Sequence, residues 1–433
     1  MEESSKKRNN HFRGIKCPFL RLKLDSDKKQ LLENFFSLFI LQGTNFILPL
    51  ITLPYLVRVL GPEKFGIIAF AQAFIQYFNI LTDYGFNLSA TREISLYREN
   101  KEKVSEIFSS VMFIKVGLLI LSFLIMSIIV FSFEKFRKDW LIYYLTFGTV
   151  VGQALFPVWF FQGLERMRYI TAIEVGIKMF FLLLIFLFVD SPEDFWKVPL
   201  INTIGVIVGG IISIFIILKQ FCVKFRVLNV NFYFKYLKIS QFLFLSQASV
   251  SLFNQTNTFI GGLIFNYTLI GYYNAAEKLF VALRNIFGIV FRVFHPYFSR
   301  NRKGNFFSLY SKIVIVISTM IAIFLFVSAD FLVNLLYGPK FQLTKEILKI
   351  FSVTLLFSGI NIMLFTLWFL SNGFYKFFFW ITTFAGFSNI VLLCFFAKTI
   401  GILGIPLCAT IVEIILLILY YVYRVKILAN SKL

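Results

Sequence analysis

An all-α polytopic membrane protein is the fold this sequence predicts: about twelve transmembrane helices in two six-helix lobes, related by a pseudo-two-fold axis along the membrane normal. Three observations carry that reading. They are the stock of apolar residues, its grouping into runs of span length, and the sided placement of Lys and Arg. Of 433 residues, 58% are hydrophobic and 15% charged, and mean hydropathy is +0.78. About 251 residues are therefore apolar, and a crossing uses roughly 20 of them, so about twelve crossings absorb nearly all. The remaining ~180 residues make thirteen short tails and loops, with no room for a soluble domain of ordinary size. A net charge of +21 would point to nucleic acid in a soluble chain; here the membrane has to explain it.

Residues 1–31 hold nine Lys and Arg and no apolar segment, so they read as a basic cytoplasmic tail and not as a cleavable signal. Apolar runs then mark spans at about 33–57, 65–86, 109–133, 140–162, 170–189 and 198–218. The basic stretch 219–239 reads as a cytoplasmic linker. Six further spans follow at about 240–265, 270–296, 310–330, 344–369, 377–397 and 403–423, and 424–433 is a cytoplasmic C-terminal segment. The lobes are thus expected at 32–218 and 240–423. With the N-terminus inside, inner segments carry about 27 Lys and Arg against about 9 on the outer side. That bias places both termini in the cytoplasm.

A shift of 205 residues aligns Gly66-x-x-Ala69-Phe70-Ala71-Gln72 with Gly271-x-x-Asn274-Ala275-Ala276-Glu277, and Gln42 with Gln247. It sets span one on span seven and span two on span eight. Six spans per unit keep both units in the same orientation, which predicts parallel repeats about an axis along the membrane normal.

Ionisable residues inside spans are costly in hydrocarbon unless paired or facing water. Glu174 and Lys178 lie four apart in span five, a favoured spacing for a pair, either an internal salt bridge or part of a cavity wall. In span eight Glu277, Arg284 and His295 share one stripe, with Lys278 and Arg292 off it. Arg284, near mid-span, needs a cavity or a buried carboxylate. His295, before Pro296, suits the inner interface. Lys115 in span three could snorkel to the inner surface, and Asp83 could do the same or pair with Arg92. Glu413 has no cation near it in span twelve. Asn45, Gln76, Asn79, Gln153, Gln247, Asn254 and Asn257 add neutral hydrogen-bonding groups, which either line a cavity or join helices.

Pro49, Pro54, Pro157 and Pro406 are expected to kink their helices, and Gly205-x-x-x-Gly209 reads as a small-residue packing face. The four cysteines are scattered and read as isolated thiols, and two histidines cannot build a His-based metal site. No metal and no cofactor are expected. Asp25-Ser26-Asp27, alone in a basic tail, reads as solvated charge. No nucleotide-binding or hydrolase motif is present, which argues against an enzyme.

The run Pro49-Leu50-Ile51-Thr52-Leu53-Pro54-Tyr55-Leu56-Val57-Arg58-Val59-Leu60-Gly61, then Phe65-Gly66, resembles the opening of bacterial polysaccharide-transport proteins. These are the O-antigen and repeat-unit flippases of the multidrug/oligosaccharidyl-lipid/polysaccharide exporter superfamily. Gly85-Phe86 with Ala90 and Arg92, and Trp159-Phe160-Phe161-Gln162-Gly163-Leu164-Glu165, continue the likeness. So do Gly271-Tyr272-Tyr273, Ala276, Lys278, Leu279 and Pro296. It runs from about residue 30 to the end. The resemblance implies a bundle around a central cationic cavity that opens alternately to each face of the bacterial inner membrane. The implied cargo is an undecaprenyl-diphosphate-linked oligosaccharide, delivered to a glycan polymerase and chain-length partner outside. Arg284, Lys178, Lys115 and Lys278 are the cations at membrane depth that could attract the diphosphate or acidic sugars. Glu174, Glu277 and Glu413 are the carboxylates that could carry a coupling proton. A drug or metabolite extruder of the same superfamily stays open, as does a membrane glycan polymerase or glycosyltransferase, although no internal loop carries a catalytic constellation.

Overall fold

The computed structural model describes residues 24–300 and 306–430, which are helical almost throughout and contain no strand. The tail to residue 23, with His11 and Cys17, lies outside the described residues, as do the side chains of Asp25, Asp27, Asn254 and Pro296.

The first helical segment, α1 (Leu24–Asp83), is two crossings joined end to end. Gly61, at φ 70° and ψ 174°, breaks it; only glycine takes that φ readily, and Pro62 starts the returning half with the φ a helix needs. The reversal shows in the packing, where Leu41 shares a core with Phe86 and Ile94. Helices α2 (Phe86–Leu96) and α3 (Lys101–Ser132) follow, the latter capped by Asn100, whose side chain accepts from the Lys103 amide at 3.0 Å. A single turn, α4 (Glu134–Arg137), leads to α5 (Trp140–Leu155). Pro157 separates α5 from α6 (Val158–Gly163) within the fourth crossing. Helices α7 (Met167–Phe188) and α8 (Lys197–Gln220) close the first lobe.

The second lobe holds α9 (Val230–Ile264), α10 (Tyr267–Arg300) and α11 (Phe306–Leu336). Helix α12 (Gln342–Ile360) runs through a π turn, Asn361–Thr366, into α13 (Leu367–Ser371). Helices α14 (Tyr375–Thr399) and α15 (Gly404–Asn430) complete it.

Nine helical segments among the described residues are long and apolar enough to cross a membrane. One of them, Leu32–Leu96, contains the reversal at Gly61 and so holds two crossings. Helices α9 and α10, at 35 and 34 residues, would run about 50 Å. They are long enough to span, and α10 lines the site with its polar residues. The chain is a multi-pass membrane protein.

Three expectations change. Helix α9 begins at Val230, ten residues before the seventh apolar run, because its first turns are amphipathic and basic but still helical. Pro406 is the third residue of α15 and kinks nothing; the first amides of a helix have no intrahelical partner to lose. Cys394 and Cys408 are free thiols, but Cys222 is disulfide-bonded. Gly205 and Gly209 do form a packing face, seated on the side chain of Ile177 in α7.

The lobes cross where the repeat places equivalent glycines. A Cβ on Gly66 would collide with the carbonyl oxygen of Tyr267 and come 2.9 Å from the Gly271 nitrogen. A Cβ on Gly271 would collide with the carbonyl oxygen of Pro62. Pro62 and Tyr267 are themselves 205 residues apart, so each half makes the other's contact. Such reciprocity is the mark of a two-fold axis.

At this same end two cations tie the lobes. Arg58 donates through Nε to the Leu336 carbonyl at 2.8 Å and through Nη2 to that of Leu335. Lys135 donates to the carbonyls of Leu263 and Phe265 at 3.2 and 3.0 Å. Both acceptors sit at helix C-termini, where carbonyls lack intrahelical partners and cations are favoured. Phe259 of α9 lies parallel to Phe70 and Phe74, with centroids 5.8 Å from each.

Candidate functional site

Below those ties the lobes part around a cavity of about 650 Å³. Helix α10 supplies its main polar stripe, Asn274, Glu277, Lys278, Arg284 and Asn285, at spacings that return every turn to one face. A narrower recess of about 370 Å³ leads from it into the first lobe, between Asp83, Lys115, Glu174 and Lys178. A third space of about 440 Å³ is a slot between the first half of α1 and α10. Its walls are mostly apolar, including Pro49, Leu53 and Phe65, with Lys178 and Lys278 along one side. Leu50, another wall residue, is 50% exposed, so the slot reaches the lipid-facing surface.

All seven residues expected as cavity cations or coupling carboxylates line these spaces. The Glu174–Lys178 pair was legible in their spacing; the other partners were not. Arg284 Nη2 meets Glu413 Oε1 at 3.4 Å, joining α10 to α15. Glu413 is in turn held by Asn361, whose Nδ2 donates to its Oε2 at 2.6 Å and to its backbone oxygen at 2.8 Å. The π turn that begins at Asn361 presents this amide, and such turns are frequent at functional sites. Glu277 is unlike Glu413. It accepts from Thr258 Oγ1 at 2.7 Å, Tyr273 OH at 3.0 Å and Asn274 Nδ2 at 3.0 Å, all neutral donors.

Lys178 reaches Glu174 at 3.6 Å and donates to Asn45 across to α1. Lys115 does not snorkel. It is 3% exposed and meets Asp83 at 3.4 Å; leaving that pair for the surface would strand a carboxylate in the protein interior. Asp83 does not pair with Arg92, which is turned outward beside Glu93. His295 packs on the Phe291 ring, with centroids 5.3 Å apart, beyond Gly288 at the end of the cavity stripe.

The lining is therefore not the simple cationic bowl the resemblance implied. Four cations, Lys115, Lys178, Lys278 and Arg284, face four carboxylates, Asp83, Glu174, Glu277 and Glu413. Three of the cations are paired, whereas Lys278 has no salt bridge to a described residue. It stands where the main cavity meets the apolar slot.

Sequence reasoning missed Asn202, Asn285 and Asn361, and it used Asn274 only as a repeat match. The available signal was the cost of any amide in an apolar span, applied there to some positions and not to these.

The family described as "Polysaccharide biosynthesis protein" matches residues 31–302. The chain is 29% identical over 335 residues to a protein of Escherichia coli (strain K12) named "Putative O-antigen transporter", covering 76% of this chain and 81% of that one. Among solved structures it is similar to "Lipid II flippase MurJ, inward closed conformation", with TM-score 0.68, 17% identity, and coverage of 92% and 87%. It is also similar to an inward-facing multidrug resistance MATE family transporter of the MOP superfamily, with TM-score 0.67, 14% identity, and coverage of 92% and 99%. At these identities the structures speak for the two-lobe fold.

Proposed function

The chain belongs to the polysaccharide biosynthesis protein family, and from that premise we propose that it is a flippase for an undecaprenyl-diphosphate-linked oligosaccharide, such as an O-antigen repeat unit. It would work by alternating access in the bacterial inner membrane and make or break no covalent bond. The observation that carries this reading is the junction at Lys278. A polar cavity and an apolar slot open to the bilayer meet at Lys278, a cation without a salt bridge to a described residue. Such a cargo has three parts: a hydrated glycan, a diphosphate and a hydrocarbon tail. The glycan needs water and polar walls, the diphosphate needs cations, and the tail can stay in lipid. A small water-soluble cargo needs no slot to the bilayer.

The remaining cations fit as ligands exchanged on binding. An arriving diphosphate competes with Glu174 for Lys178 and with Glu413 for Arg284, since charge-assisted bonds to phosphate are strong. The freed carboxylates, with Glu277, are then the groups that can take up a coupling ion. Lys115 is too enclosed by Asp83 to share the diphosphate directly. We place the lobes at 32–218 and 240–423 with 219–239, whose last ten residues open α9, between them, both termini in the cytoplasm, and the Arg58 and Lys135 ties on the outer side. The cavity runs from the ties to Asp83, Asn87 and Gln247 at the opposite end, so this conformation faces the cytoplasm. A polymerase and a chain-length partner outside would consume the product.

Reconstituted in liposomes with a fluorescent undecaprenyl-diphosphate oligosaccharide, Lys178→Ala and Arg284→Ala are each expected to slow flipping by about tenfold or more, the loss of one charge-assisted contact of ~1.5–3 kcal/mol. Wild-type rates from both would exclude the assignment. Drug efflux by the wild type without lipid flipping would favour the extruder. Reporter fusions after Lys138 and Lys238 are expected to read outside and inside; the reverse pattern would invert the topology.

A further inference from the structure

Charge in the first-lobe recess cancels in pairs, Lys115 with Asp83 and Lys178 with Glu174. What remains on its walls is amide, aromatic and aliphatic. Asn79, Gln153 and Asn202 face the space, with Phe156 and Phe181 beside them. Gln153 and Asn202 make no side-chain hydrogen bond to a described residue. Asn79 is only 8% exposed; its Nδ2 donates to Gln76 at 3.2 Å, while its Oδ1 is buried without a partner. An unmet buried acceptor of this kind is costly, and native structures keep few of them without a reason. Asn79 and Gln153 also line the main cavity and its mouth toward Gln247, so a cargo entering from that end passes both.

We propose that this recess is a subsite for neutral sugar, read through hydroxyl and acetamido groups. The proposal rests on the flippase reading and adds what the recess selects. Each amide carries two donor and two acceptor positions, a match for hydroxyls that both donate and accept. The aromatic walls suit the apolar face of a sugar ring. An anionic sugar is disfavoured there, because the diphosphate that draws Lys178 from Glu174 leaves the recess no unshared cation. The diphosphate goes to Lys278, Lys178 and Arg284, and the neutral sugar to Asn79, Gln153 and Asn202.

The test measures binding to the full chain in nanodiscs. The probes are undecaprenyl diphosphate and the same lipid bearing glucose, galactose, rhamnose or N-acetylglucosamine. Wild type is expected to bind at least one sugar-bearing lipid about tenfold or more tightly than the bare lipid. Asn79→Leu and Gln153→Leu are each expected to remove that advantage while leaving affinity for the bare lipid within about twofold. Gln153 is exposed in the cavity wall, so its substitution probes the subsite even where Asn79→Leu disturbs folding. A sugar advantage that survives Gln153→Leu, an equal loss for bare and sugar-bearing lipids, or no advantage for any sugar would each overturn the subsite. Binding of bare undecaprenyl diphosphate no tighter than undecaprenol would overturn the flippase reading and the subsite with it.

Discussion

Gly271→Leu is expected to abolish folded protein, not merely to slow transport. The obstacle to any side chain there is the backbone of Pro62, and at Gly66 it is the backbone of Tyr267 and Gly271. Ordinary overpacking costs about 1–3 kcal/mol because neighbouring side chains can change rotamer. Two helix backbones crossing at a symmetry axis have no rotamer to change, so the halves must separate, and the ties of Arg58 and Lys135 at the same end go with them. The measurement is yield of monodisperse protein and its thermal midpoint in detergent, with Gly66→Leu expected to behave alike. Gly117→Leu is the control. A Cβ at Gly117 meets nothing within 4 Å, leucine is the better helix former, and the change should stay within about 0.5 kcal/mol. A Gly271→Leu protein that purifies and melts like wild type would mean the crossing is not this close.

That contact shows how far the sequence reached. The 205-residue shift named Gly66 and Gly271 as equivalent, and hydropathy supplied the helices that carry them. It could not say that the two touch, because internal repetition reports equivalence while contact depends on where the axis passes. The same limit applies at the site. The α10 stripe of Glu277 and Arg284 was legible because the spacing of residues along one helix fixes their face. Partners on other helices were not. Glu413 looked stranded because its cation lies 129 residues away on α10, and Lys115 looked free to snorkel because Asp83 is 32 residues back. Helix rotation sets such pairs, and no local pattern encodes it.

Arg284→Leu is expected to destabilise the protein much more than Glu413→Gln, by about 3–5 kcal/mol where one member of a buried pair is removed. The asymmetry follows from exposure. The Arg284 side chain is 27% exposed toward the cavity, whereas that of Glu413 is 5% exposed. Without Glu413 the guanidinium can turn into cavity water, and its Nε, buried without a partner, can be hydrated as it does. Without Arg284 the carboxylate keeps the amide of Asn361 as its side-chain partner among the described residues, and at 5% exposure it has little contact with cavity water. The double variant Arg284→Leu/Glu413→Gln should recover most of the loss, because glutamine can still accept from Asn361 and no lone charge remains. A double-mutant cycle on thermal or denaturant midpoints isolates the coupling, since the two residues touch and their effects will not add. Flipping separates stability from function: the double variant should fold and still fail to move the lipid-linked oligosaccharide, having lost the cation that the diphosphate recruits. If Glu413→Gln proves the more damaging single change, Arg284 is the enclosed partner and cannot be the cation that faces the cargo.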